Sequence, residues 1–263
     1  MCRLSGWQKA RTMLDISVSI VKRGVFNDWH KIIGWLYGTS SMCRNEEFDE
    51  GGRRMELKDS KTKENLMRAF AGESQARNRY TFAAELAMEN NLYVIKKVFD
   101  LTASQEKEHA EVFYSYLKEF EGTEIAVDGS YPVNTEQSVE KQLQHALENE
   151  TKEADEVYRS FGDIALEEGF NQIAGKFYMI ADVEKVHAMR FQKFAELLKE
   201  GKLFASDVKT GWMCLNCGYV IESTNAPQNC PVCDSAQGYF VRLSMAPMTE
   251  TEMDVPRPQD LGK

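Results

Sequence analysis

Proline is scarce in this chain, 6 in 263 residues. Long stretches rich in Glu, Lys, Ala, Leu and Met are therefore free to form helix. Apolar runs long enough to span a bilayer are also missing. The most apolar early stretch, Met13 to Val21, contains Asp15 and ends at Lys22-Arg23. It is too short to cross a membrane, and its acidic residue makes it a poor secretory signal. A basic excess is absent too: 32 Lys and Arg face 41 Asp and Glu, a formal charge of -9. No basic face is left for a nucleic acid, so neither a nucleic acid nor a membrane is expected as partner. Cysteines number only 6, and four of them fall in two Cys-x-x-Cys pairs. In a chain without a signal this spacing points to metal binding in a reducing compartment, hence the cytoplasm, and not to disulfides.

What is present divides the chain unevenly. Residues 1–54 hold Trp7, Trp29 and Trp35, the stray Cys2 and Cys43, and no sustained helical period. Two readings stand for this stretch: an atypical, disordered or weakly helical extension, or an upstream region translated ahead of a true start at Met55. From Lys61 the helical period is plain, with helices expected over about 61–89, 92–120, 136–168 and 170–200. Each would be roughly 40 Å long at ~1.5 Å per residue, which suits a bundle. The expected division is thus an extension 1–54, a four-helix bundle 55–200, a polar link 201–212, a four-cysteine domain 213–243 and a disordered acidic tail 244–263. The two helical hairpins also resemble each other. Leu92, Ile95, Phe99, Glu106 and His109 match Phe170, Ile173, Phe177, Glu184 and His187 at one constant offset, and Glu73 matches Glu150 with a one-residue slip.

Four glutamates sit where acids do not belong. The helical neighbours of Glu184 are Phe177, Ile180, Ala181, His187, Ala188 and Phe191; those of Glu106 are Phe99, Thr102, Ala103, His109, Ala110 and Phe113. Glu73 and Glu150 lie in similar apolar stripes, with Glu153 one turn after Glu150. Burying an ionised carboxylate costs several kcal/mol unless something offsets the lost hydration. Glu73, Glu106, Glu150, Glu153 and Glu184 cannot neutralise one another, and His109 and His187 are too few. A pair of multivalent cations can. Oxygen-rich ligation with a little imidazole suits iron or manganese better than zinc. One Glu from each of two helices plus Glu-x-x-His from each of the other two is the ferritin-like di-iron arrangement. The set holds one ligand more than that scheme needs, so Glu153 and His109 are expected to compete for one metal.

Cys214, Cys217, Cys230 and Cys233 bring four thiolates together, for zinc or a single iron. Spacing alone does not choose between them. The Cys-Gly-Tyr and Cys-Pro-x-Cys corners, with Trp212, Tyr239 and Phe240 nearby, resemble a rubredoxin site.

AGESQARNRY (71–80), QEKEHA (105–110), Glu150 with Glu153, VEKVH (183–187) and the four-cysteine module, in this order, resemble the rubrerythrin family over about residues 55–243. The resemblance implies a mainly α fold, a ferritin-like antiparallel four-helix bundle followed by a small rubredoxin-like four-cysteine β/knuckle domain. It implies two irons in the bundle, with Glu106 and Glu184 bridging them. Glu73 would hold one iron together with Glu153 or His109, and Glu150 and His187 would hold the other. Tyr80 and Tyr158 would hydrogen-bond around the ligands. The implied activity is reduction of hydrogen peroxide to water in oxidative-stress defence. Electrons would reach the bundle through the rubredoxin-type iron from a reductase or rubredoxin linked to NAD(P)H, within a homodimer or larger homo-oligomer. Two rivals remain: a ferroxidase or iron-storage protein, and a metal-stabilised scaffold with a zinc ribbon.

Overall fold

The computed structural model describes residues 55–247. The expected extension 1–54 and all but the first residues of the tail 244–263 lie outside them. Helix α1, Lys61–Glu89, begins where Ser60 caps the amide of Lys63. The carboxylate of Glu168 accepts from the amides of Lys61 and Thr62, each at 2.9 Å, and from Thr62 Oγ1 at 2.6 Å. An acid at a helix N-terminus satisfies orphan donors and complements the dipole. Here it also ties the start of the bundle to a residue more than a hundred positions away. Helix α2, Tyr93–Ser115, stops short of the expected end, and a 3-10 turn, Lys118–Phe120, follows.

The third expected helix is not one uniform rod. It runs as α3, Val139–Lys152, a π turn, Glu153–Val157, and α4, Tyr158–Glu167. A π turn inserts one extra residue into the helical ladder, which accounts for the one-residue slip between Glu73 and Glu150. Helix α5, Asn171–Lys199, completes the bundle. Helix α1 packs along α2, and α3 and α4 pack along α5. The duplication extends to the turns: Asn91 (φ 58°) ends the first hairpin's turn and Gly169 (φ 82°) the second's, at the same offset as the helices.

Two apolar clusters fill the bundle. One gathers Tyr80, Ile95, Phe99, Leu143 and Phe191; the other gathers Leu66, Phe113, Tyr158, Ile173 and Phe177. The buried acids lie in the layer between them.

A three-stranded antiparallel sheet, ordered β2-β1-β3, follows: β1 Ala205–Cys214, β2 Val220–Asn225 and β3 Phe240–Arg242. The central strand therefore starts inside the stretch 201–212 that reads as a polar link. Its first residues are polar because they are solvent-facing, with a register break between Ala205 and Thr210, and so they carry no apolar alternation. The sheet domain seats on the turn between α1 and α2. Tyr239 stacks on Tyr93 with centroids 4.0 Å apart. Gly238 lies so close to this turn that a Cβ there would sit 1.8 Å from the carbonyl oxygen of Asn91. Val241 and Leu203 join the nearer bundle cluster.

Candidate metal centres

Glu73, Glu106, Glu150, Glu184 and His187 are at most 1% exposed. Their donor atoms fall into two groups of four, Glu73, Glu106, His109 and Glu184, and Glu106, Glu150, Glu184 and His187, each within 4.8 Å of one another. Glu106 and Glu184 belong to both. Glu106 sends Oε2 to His109 Nδ1 (3.1 Å) and Oε1 to His187 Nδ1 (3.0 Å). Glu184 sends Oε1 to His109 Nδ1 (2.9 Å) and Oε2 to His187 Nδ1 (2.7 Å). Each carboxylate thus divides its two oxygens between the two histidines. Two further oxygens close the groups: Glu73 Oε1 lies 3.9 Å from His109 Nδ1, and Glu150 Oε2 lies 3.5 Å from His187 Nδ1.

Tyrosines tie the two halves crosswise. Tyr158 of α4 donates to Glu73 Oε1 of α1 at 2.5 Å, and Tyr80 of α1 donates to Glu150 Oε1 of α3. Burial keeps both phenols protonated, as donors. The two tyrosines stand at the duplication offset, so they are one device used twice.

The donor set fits a pair of metal ions. Glu73 Oε2, Glu106 Oε1, Glu150 Oε2, both oxygens of Glu184 and both ring nitrogens of His187 are buried without a hydrogen-bond partner. Some of these atoms lie within 3.0 Å of each other, as co-ligands of a common ion do, yet do not meet hydrogen-bond geometry. Buried polar groups are otherwise almost always paired. The charges are strained without cations. Burial, then Glu184 and Glu106, push the Glu73 carboxyl well above its ordinary range; burial, then Glu106, do the same to Glu150. For Glu106 burial pulls upward, but His109 and His187 outweigh it and bring the carboxyl down to about 2. Those contacts in turn lift His109 to about 9 and His187 to about 12, against burial.

Glu153 stands apart from both groups of four. Burial, with Glu184 and Glu106 nearby, raises its carboxyl to about 8. His109, and not Glu153, belongs to one of the two groups of four.

Two arginines beside this layer are absent from the sequence reading. Arg79 donates to Gln75 Oε1 at 2.6 Å and leaves Nη2 buried without a partner. Arg190 Nη1 donates to Thr102 Oγ1 and Gln105 Oε1, each at 2.8 Å. The spacing of Arg190, one helical turn after His187, was the available signal.

The four cysteines also meet. Cys214 Sγ lies 3.8 Å from Cys233 Sγ, and Cys217 Sγ lies 3.6 Å from Cys230 Sγ. Their backbones form two matching knuckles. The amides of Gly218 and Asp234 donate to the carbonyls of Cys214 and Cys230 at 2.8 and 2.9 Å. The amides of Cys214 and Cys230 donate to the carbonyls of Tyr219 and Ser235, each at 2.8 Å. Gly218 (φ 79°) and Asp234 (φ 58°) take the left-handed conformation this turn requires. Cys214 and Cys230 are buried beside Trp212 and Phe240, while Cys217 is exposed.

The family model described as Rubrerythrin matches residues 64–195, and that described as Rubrerythrin, rubredoxin-like domain, matches residues 212–241. The chain belongs to the rubrerythrin family. It is 43% identical over 185 residues to the rubrerythrin of Clostridium perfringens, covering 70% of this chain and 95% of that one. It is 42% identical over 184 residues to that of Porphyromonas gingivalis, covering 70% and 90%. The solved structure of fully reduced nigerythrin is similar at 26% identity, covering 77% of this chain and 98% of that chain, with a TM-score of 0.48. As a rubrerythrin, the chain combines a ferritin-like bundle bearing a di-iron carboxylate and histidine centre with a rubredoxin-like four-cysteine knuckle. No helix among the described residues is long and apolar enough to cross a membrane.

Proposed function

We propose that this chain is a peroxidase that reduces hydrogen peroxide to water in the cytoplasm, as part of oxidative-stress defence. The observation that carries the reading is the sharing of Glu106 and Glu184 between two four-donor groups. Glu106 and Glu184 would bridge two irons, Glu73 and His109 would complete one, and Glu150 and His187 the other. When bound, the iron pair supplies two electrons together with Lewis acidity toward both peroxide oxygens.

The chain's own residues prepare that chemistry. Tyr80 and Tyr158 fix which oxygens of Glu150 and Glu73 face the centre, as outer-shell donors do. The rings of Phe99 and Phe191 on one side and Phe113 and Phe177 on the other keep water from the layer. Glu153 and His109 would alternate as ligands of one metal, with Glu153 at the first position of the π turn.

Cys214, Cys217, Cys230 and Cys233 would hold the rubredoxin-type iron that returns electrons singly. Within one chain this domain sits at the Tyr93 end of α2, thirteen residues from Glu106, or about 20 Å along the helix. That separation supports delivery from the four-cysteine domain of a second copy, hence a head-to-tail homodimer or larger homo-oligomer. The ultimate donor would be NAD(P)H acting through a separate reductase or rubredoxin.

The test compares hydrogen peroxide with oxygen as oxidant of the reduced protein in rapid mixing. Faster oxidation by peroxide is expected. Markedly faster oxidation by oxygen would replace this reading with a ferroxidase. Elemental analysis and the visible spectrum address the knuckle: iron and a red colour are expected, and zinc without colour would contradict electron delivery.

A further inference from the structure

Arg190 is half-buried in the seam between α5 and α2, one helical turn beyond His187. Its two hydrogen-bond acceptors, Thr102 Oγ1 and Gln105 Oε1, are neutral and belong to the helix that carries Glu106 and His109. Thr102 is fully buried and gives its own proton to Val98 O at 3.0 Å, so its oxygen is committed as acceptor. Arg68 and Arg159, by contrast, each bond an acid directly. A guanidinium that loses water without gaining a carboxylate contact is costly unless a nearby field offsets the loss. Burial works against the charge of Arg190, and Glu106, Glu150 and Glu184 act to sustain it. The residue is thus a cation held by two neutral acceptors on the helix that carries Glu106 and His109.

We propose that Arg190 is a positioning residue for the di-iron centre: its fixed charge, anchored by Thr102 and Gln105, shifts the metal pair toward its electron-rich state. The proposal rests on the reading that Glu106 and Glu184 bridge the metals. A positive charge always favours the form that carries more electrons. Three residues separate Arg190 from His187, roughly 5 Å of helix rise. For a unit charge within about 10 Å of a centre, at an effective dielectric of about 20, the Coulomb energy corresponds to on the order of a tenfold change in the equilibrium constant for reduction. A tenfold change equals about 59 mV for a one-electron step.

The experiment is a spectroelectrochemical titration of the full iron-loaded chain, with Arg190→Lys, Arg190→Gln and Arg190→Met compared with wild type. Arg190→Gln and Arg190→Met should become about tenfold harder to reduce, while Arg190→Lys stays near wild type. Thr102→Val loosens the guanidinium while keeping its charge, and should shift the balance in the same direction by less; it carries the test if the charge-removing variants fail to fold. Unchanged potentials in Arg190→Gln, Arg190→Met and Thr102→Val would overturn the proposal. So would an equal fall in Arg190→Lys and Arg190→Gln, which would make the residue only an interhelical tie. Glu184→Ala separates the two layers of the argument. If it loses the iron pair while the Arg190 variants keep the wild-type potential, the Arg190 proposal alone fails. If Glu184→Ala still holds both irons, the ligand reading fails and this proposal with it.

Discussion

Replacing Glu153 by glutamine in the metal-free protein should change how stability responds to pH. The Glu153 carboxyl is raised from 4.5 to about 8, first by burial and then by Glu184 and Glu106. An acid whose pKa is higher folded than unfolded favours the folded state while protonated. That contribution is complete below about pH 4.5 and is lost as pH rises through 8. A shift of this size corresponds to at most ~4–5 kcal/mol, and residual contact with solvent reduces it to ~2–3 kcal/mol. Glutamine keeps the shape and carries no charge at any pH, so Glu153→Gln should not suffer the loss. At ~2–4 °C per kcal/mol, the iron-free wild type should melt roughly 5–10 °C below the variant at pH 9, and level with it near pH 5. Thermal melts followed by circular dichroism across pH 5–9 measure this. Parallel curves for the two proteins would refute the reasoning, because they would mean that Glu153 ionises as freely in the folded chain as in water.

Other outcomes follow from the same geometry. Tyr158→Phe removes the donor to Glu73 Oε1, and should weaken iron binding about 10-fold or more at that site, measurable by competition with a chelator. Cys230→Ser should abolish peroxide turnover driven by a reductase, while the chemically pre-reduced protein still consumes one equivalent of peroxide; retained turnover would deny the knuckle its role. Gly238→Ala places a methyl group against the carbonyl of Asn91. It should loosen the sheet domain from the bundle, read as faster proteolysis between residues 200 and 205 with the bundle's melting temperature little changed.

The bundle was largely legible because its signals are local and repeated. Helix α1 has the bounds its periodicity implies, and the four buried glutamates reveal themselves by their apolar neighbours one and two turns away. What escaped was information that period does not encode. The π turn at Glu153–Val157 leaves the composition helical and shows only as the one-residue slip between Glu73 and Glu150. The start of β1 at Ala205 was hidden because its exposed polar residues owe their strand to pairing with β2. The Glu168 cap on α1 joins residues 106 and 107 positions apart, and no window along the chain contains both partners. Arg190 belongs to no motif, and its acceptors Thr102 and Gln105 lie on another helix. That His109 joins a group of four donors while Glu153 does not is likewise set by packing, since both lie at workable helical spacings.

Stability of the buried acid layer depends on multivalent cations. Titration of ferrous iron into the metal-free Cys230→Ser protein, followed by calorimetry and elemental analysis after gel filtration, tests that dependence with the knuckle disabled. Two tightly held irons per chain are predicted, with protons released on binding and a melting temperature raised by about 10 °C at ligand concentrations ~1,000 times the dissociation constant. A protein that retains no iron, or whose melting temperature does not move, would show that the buried carboxylates are satisfied by the polypeptide alone.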